Sequence, residues 1–203
     1  MKTSLFAAVV CAALAATAAD TKSAKDQMVK IGGEGKVLVV NACGATAEAL
    51  ETAARKIGNL LMINISVENG AWSFPTAQKS FEATGANAAV FVVKDASLPI
   101  SLVAMESRWG VVNADGLSDK SLEKEVLRVA TVVLGGASSK YSASTMRPVF
   151  SREDLEKKAG DVVTFDSLMS IFTYLPDMGV KQYRMMSRED AIEEGLLKSD
   201  SAK

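Results

Sequence analysis

Of the side chains that usually run hydrolytic and metal chemistry, one type is missing from this sequence. The chain contains no histidine. Its absence excludes Ser-His-Asp and Cys-His catalysis, every His-ligated zinc site and any imidazole acid–base group. The groups that remain are few. Cys43 reads first as a buried small hydrophobe, and second as a thiol at a strand-to-helix turn with no imidazole to act as its base. Ser138, Ser139, Ser142 and Ser144 are hydroxyl nucleophiles only if a base is oriented toward them, and Lys140 in the same loop has nothing to position it. Asp95, Glu106, Asp115 and Asp119 match no cation-binding loop, so surface charge is their default. Arg128 is either a helix-flank arginine paired with Glu125 or Glu123, or a fork offered to a partner's carboxylate.

Elements must hold whatever chemistry exists, and their order is readable. Residues 36–43 form an apolar, β-branched run of the kind buried on both faces. A helix follows over residues 45–59, with Ala49, Ala53 and Ile57 at helical spacing and Thr46 as its N-cap. Strands are expected at residues 61–68 and 88–93, with a short helix at residues 76–83 between them. Residues 98–106, interrupted by Pro99, suit an edge strand, and residues 109–113 a further short strand. Ser118 or Ser121 caps a long helix carrying Leu122, Val126, Val129 and Val133 on one face, stopped by Gly135-Gly136. A small-polar loop over residues 138–144 leads to a capped helix at residues 151–158 and another at residues 166–174. The order specifies an α/β fold: a mixed, mostly parallel sheet with an edge strand, one long helix and a helical C-terminal half. Trp72, Phe74, Trp109 and Tyr141 are the candidate cleft or interface aromatics, Trp109 being the one most suited to the core.

The whole chain has 203 residues, 48% of them hydrophobic, and a formal charge of −1, which suits one domain and provides no basic footprint for nucleic acid. Residues 1–19 read as a secretory signal peptide. Lys2 precedes an apolar run over residues 5–16, and small residues stand at the cleavage positions. Val10 before Cys11 argues against a lipoprotein signal. Residues 20–35 are expected to be a polar linker. Their Gly32-Gly33-Glu34-Gly35 run precedes a strand, whereas a dinucleotide fingerprint follows one. Residues 36–186 form the single α/β domain and residues 187–203 a polar tail. The expected location is exported, in a bacterial periplasm or outside the cell, with no integral membrane span once the signal is removed.

From the strand Trp109-Gly-Val-Val-Asn113, through the long helix to a Gly turn, and on to a small-residue loop ending in Met, the chain resembles the metzincin proteases, and among them the archaemetzincins. That family carries H-E-x-x-H-x-x-G-x-x-H, in which two histidines one turn apart face zinc and the Gly bends the chain toward the third. In archaemetzincins a Cys follows the third His, and Cys-x-Met comes four residues later. With the family Gly set on Gly135, Arg128 falls on the first ligand, Val129 on the general-base Glu, Val132 on the second ligand and Ser138 on the third. Ser139 and Ser144 then fall on the two Cys positions and Met146 on the Met. Gly135 and Met146 match; the ligands and the base do not. Arginine stays protonated, valine cannot ligate, and a serine hydroxyl is a poor zinc ligand.

The resemblance thus implies a zincin-like fold without a metal or other cofactor. The function expected from it is that of a non-catalytic pseudoprotease, which binds a peptide or protein partner through the old cleft or plays a structural part. The alternative is a hydrolase of non-zinc chemistry using carboxylates or Cys43. The sequence leaves the oligomeric state open.

Overall fold

Val37–Asn41 (β2) is buried at every position, as its unbroken apolar run requires of a strand covered on both faces. It is an interior strand of a five-stranded sheet. Ile65–Asn69 (β3) and Ala88–Val93 (β4) flank β2 in parallel, with Val37 opposite both Ile65 and Ala88. Trp109–Asn113 (β6) continues the parallel set beside β4. Ser101–Ala104 (β5) closes the edge in antiparallel register, Leu102 opposite Val111.

The computed structural model describes residues 28–141, 144–158 and 162–198. The signal peptide expected over residues 1–19 and the serine at 142 lie outside the described residues. The chain divides into two compact units, of which Gly33–Tyr183 is the larger and holds the five-stranded sheet.

The two faces of that sheet are covered unequally. On one face, Val37, Val39, Val90 and Val92 pack with Leu50, Ala53 and Ile57 of Ala47–Leu61 (α1) and with Val126, Val129 and Val133 of Asp119–Val133 (α3). Ile171 of Phe165–Tyr174 (α5) joins the same core. On the other face, Leu38, Val40, Ala89, Phe91 and Val111 pack with Phe81 of Ala77–Thr84 (α2). Adjacent strand residues alternate between the two cores, as the two-residue period of a strand demands. Close approach of α3 to the sheet depends on Gly110. A Cβ there would stand 2.5 Å from Val129 Cγ1 and 3.0 Å from Val133 Cγ2, so only glycine lets the helix seat on β6.

The mixed, mostly parallel α/β architecture with an antiparallel edge strand is the one expected from the sequence. Some details differ. The strand expected at residues 61–68 is Ile65–Asn69, because α1 runs on to Leu61 and ends at Met62 in the left-handed region, and Thr46 makes no cap bond at the start of α1, its Oγ1 donating to Asp119. The edge strand shortens from 98–106 to Ser101–Ala104. Asn113 takes the preceding segment into a turn, its Nδ2 donating to Asp95 O at 2.6 Å and Leu98 O at 3.0 Å. The segment expected to be linker contains a strand, Met28–Gly32 (β1), which pairs with Tyr183–Ser187 (β7). The segment expected to be tail begins with a helix, Arg188–Glu193 (α6), whose Ser187 N-cap accepts from Asp190 N at 3.0 Å. With the exception of Tyr183, these elements belong to the second unit. No helix among the described residues is long and apolar enough to cross a membrane.

Candidate functional site

Helix α3 is anchored at its start by hydroxyls. Ser118 Oγ accepts from Ser121 N, capping the first turn, and Ser118 Oγ and Ser121 Oγ donate to Glu156 Oε1 at 2.9 and 2.7 Å. Glu156 belongs to Arg152–Lys157 (α4), so one carboxylate fastens α4 across the amino end of α3, and the two hydroxyls hold its pKa below the usual carboxylate value. At the other end, Gly135 adopts φ +98°. A Cβ there would also meet the Tyr174 ring at 2.9 Å, so the turn requires glycine twice over. Helix α5 fixes the exit: Ser170 Oγ donates to Gly135 O at 2.6 Å and Ser167 Oγ to Ala137 O at 2.9 Å.

Between these anchors, Arg128 and Val132 lie one turn apart and both are half-buried, sharing a face. Val129 points the other way, fully buried against β6. Ser138 is exposed beyond the turn, whereas Ser139 is buried and donates its backbone N–H to Met146 O at 3.2 Å. Met146 is completely buried, its methyl beside Gly136 and Thr131. The structure therefore gathers Arg128 and Val132 on one face and closes the Ser139–Met146 loop, but Val129 belongs to the core and Ser138 to the surface.

Arg128 is already engaged. Its Nε donates to both Glu125 oxygens at 3.0 Å, and its Nη2 reaches Glu125 Oε1 at 2.5 Å and Ser101 Oγ at 2.7 Å. Ser101 Oγ in turn donates to Glu125 Oε1 at 2.6 Å. Side-chain exposure is 12% for Arg128 and 0% for Glu125, so the pair is held away from solvent. Of the two carboxylates the sequence offered Arg128, the structure selects Glu125, one turn earlier on α3.

A second buried cation lies close by. Lys158 is 2% exposed, and its Nζ donates to Thr145 O at 2.6 Å and Arg147 O at 3.2 Å. Desolvation pushes its pKa down to about 8, opposed by Glu125 and reinforced by Arg128 and Arg147. Arg147 pairs with Asp154 at 2.7 Å, and that guanidinium together with the Phe150 backbone N–H lowers the Asp154 pKa. Neither Lys158 nor Ser101 stands out in the sequence. A lysine at a helix end reads as solvated charge, and Ser101 gains its role only from a strand paired above α3.

The other candidates are dispersed. Asp95 accepts from Ser97 N and Oγ, which lowers its pKa, while Asp115 pairs with Arg152 and Asp119 accepts from Thr46 Oγ1. Glu106 and Lys140 are exposed. Cys43 is half-buried against the larger core. Trp109 Nε1 donates to Gln78 Oε1 at 3.0 Å, and Tyr141 projects into solvent.

The donor chemistry does not fit a zinc ion. A protonated guanidinium, a valine and a serine hydroxyl occupy the three positions that the resemblance assigns to ligands, and a buried ammonium adds a further positive charge near Glu125 and Arg128. Among the described residues, no group of three or more Cys, Asp or Glu side chains is placed to hold a metal.

No family model matches this chain, and no curated protein matches it in sequence. Solved structures do match its fold. One is an archaemetzincin from Methanopyrus kandleri, 10% identical, with a TM-score of 0.58 over 70% of this chain and 96% of that one. Another is a zinc-dependent peptidase from Methanocorpusculum labreanum, 8% identical, with a TM-score of 0.51 over 66% of this chain and 99% of that one. At such identities the likeness is one of architecture, and the architecture is the zincin-like α/β fold of an archaemetzincin.

Proposed function

We propose that this chain is an exported, non-catalytic protein on a zincin-like scaffold, and that it binds an extended segment of a peptide or protein partner. The observation that carries the reading is the closed Glu125–Arg128–Ser101 cluster on the face of α3. A metallopeptidase needs ligands, an open coordination position and a base on that face. Here the face holds an arginine whose Nε and Nη2 are already taken, and the base position, Val129, lies in the core.

Binding is supported by the strand above that cluster. Strand β5 is at the edge of the sheet, where unpaired backbone groups accept an added strand. Asn113 N donates to Ile100 O at 2.8 Å, which sets the alternation along β5. The residues at 100, 102 and 104 turn their N–H and C=O groups toward β6, and Ser101 and Val103 turn theirs outward. The Ser101 side chain is held by Arg128, so the strand is fixed in place before any partner arrives.

Two measurements test the proposal. Zinc added to the purified protein should give no saturable binding by calorimetry, and a fluorogenic peptide library should remain uncleaved with or without zinc. Stoichiometric zinc or zinc-dependent cleavage refutes the non-catalytic reading. Peptides selected on the protein from a phage-displayed library should lose affinity when Val103→Pro removes an outward N–H while sparing the β5–β6 ladder. Undiminished binding to that variant refutes β5 as the docking edge.

A further inference from the structure

The larger unit carries a recess on the sheet itself, made of residues other than those of the α3 cluster. The chain leaves β2 toward β3 on one side and leaves β4 toward β6 and β5 on the other. Strands β2 and β4 are parallel neighbours whose outgoing connections diverge, so a crevice opens outside their carboxyl ends. In open parallel sheets such a crevice is the usual place for a ligand. The structure has a cavity of about 440 Å³ there, lined by Cys43 after β2, by Trp72 and Phe74 after β3, and by Lys94 after β4. Two asparagines hold its rim in shape. Asn41 Oδ1 accepts from Ala45 N at 3.0 Å, and Asn113 Oδ1 accepts from Asp95 N at 3.1 Å, so the loops that leave β2 and β4 are fixed by buried side chains.

We infer that this crevice binds a small planar aromatic anion. Trp72 and Phe74 meet edge to face with ring centroids 6.1 Å apart, and Phe74 is 59% exposed, leaving a ring for a flat apolar group to pack against. Lys94 contributes an ammonium that makes no ion pair among the described residues. The neighbouring Asp95, which also lines the crevice, has its carboxylate turned to Ser97, accepting from its N at 2.9 Å and its Oγ at 2.6 Å, and makes no ion pair with that lysine. Ring and cation together select for an aromatic body with an acidic group.

The test is a titration of the ¹⁵N-labelled protein with 2-naphthoate, with 2-naphthalenemethylamine and cyclohexanecarboxylate as comparators. Saturable shifts confined to the amides of residues 42–43, 72–74 and 93–95, with the naphthoate bound most tightly, are expected. Both side chains proposed to make contact are exposed, so Phe74→Ala and Lys94→Met keep the fold, which the unchanged remainder of the spectrum verifies. Each should weaken naphthoate about tenfold, the usual scale of a lost charge-assisted or aromatic contact. Absence of saturable shifts, an amine bound as tightly as the carboxylate, or affinity unchanged in both variants overturns the inference.

Discussion

Replacing Glu125 by glutamine tests the internal charge cluster at its centre. The substitution conserves size, removes the negative charge and turns one acceptor oxygen into an N–H donor. Arg128, 12% exposed, then loses the carboxylate that accepts its Nε and Nη2, and buried Lys158 loses one of the two anions, Glu125 and Asp154, that raise its pKa. Leaving a buried charge without its partner costs about 3–5 kcal/mol. For a folding unit the size of Gly33–Tyr183, that corresponds to a fall in melting temperature of about 9–15 °C. Urea titration followed by circular dichroism measures the free energy, and a thermal melt the temperature. Two controls give the number its meaning. Lys157→Ala breaks an ion pair with Glu153 whose side chains are 73% and 76% exposed, and it should move stability by no more than about 0.5 kcal/mol. The double substitution Glu125→Leu with Arg128→Met removes both charges together and should come within about 1 kcal/mol of the parent, because two desolvation penalties disappear with the attraction. A loss below about 1 kcal/mol for Glu125→Gln would refute the reasoning, as would a double variant no better than the single one.

Further expectations concern neighbouring parts. Lys158 titrates near 8 when folded and near its ordinary 10.5 when unfolded, so between those values the unfolded chain holds more protons. Stability therefore rises from about pH 8 to about pH 10.5, by on the order of 3 kcal/mol, and is insensitive to this group below that window. Lys158→Met should flatten the ramp in urea titrations run across the range; a ramp of unchanged slope refutes the assignment. Gly110→Ala puts a methyl group 2.5 Å from Val129 Cγ1 and should destabilise by about 1–3 kcal/mol, with partial recovery in combination with Val129→Ala, measured by urea melts. Gly135→Ala combines a left-handed backbone with a clash against Tyr174 and should cost more than the about 1 kcal/mol typical of a surface turn, read from the same melts.

The parts of the fold visible in the sequence are those where one local signal dominates. Val37–Asn41 and Ala88–Val93 are unbroken apolar runs because both faces of the sheet are covered, and no helical reading of comparable length competes. Ser151 and Asp154 announce the start of α4, and the structure places the cap bond there at 3.0 Å. Strand β1 is harder to see: Val29 and Ile31 alternate with exposed neighbours for only five residues and are followed by glycines, so the segment resembles a linker until β7 pairs with it. The same division holds at the candidate site. The shared face of Arg128 and Val132 follows from helical spacing alone. The destination of the guanidinium does not, because Ser101 is 27 residues away in sequence and reaches Arg128 only through the β5–β6 pairing. Burial of Lys158 is likewise a property of two backbone carbonyls, at Thr145 and Arg147, that carry no residue-type signature.

The contact between Val129 and Gly110 has a consequence for the evolutionary freedom of this scaffold. Installing histidines at 128, 132 and 138 would supply nitrogen ligands, but a hydrolase would also need a carboxylate at 129, and that position is fully enclosed between α3 and β6. An ionised glutamate there would be stripped of water in a site whose neighbours are the methyl groups of Val133 and the backbone of β6, a penalty of several kcal/mol. The entire stability of a natural domain is only about 5–15 kcal/mol. A charged residue at 129 would therefore cost a large share of that stability unless α3 were reseated on the sheet. Packing acts here as a ratchet: it keeps position 129 apolar for as long as α3 seats on Gly110.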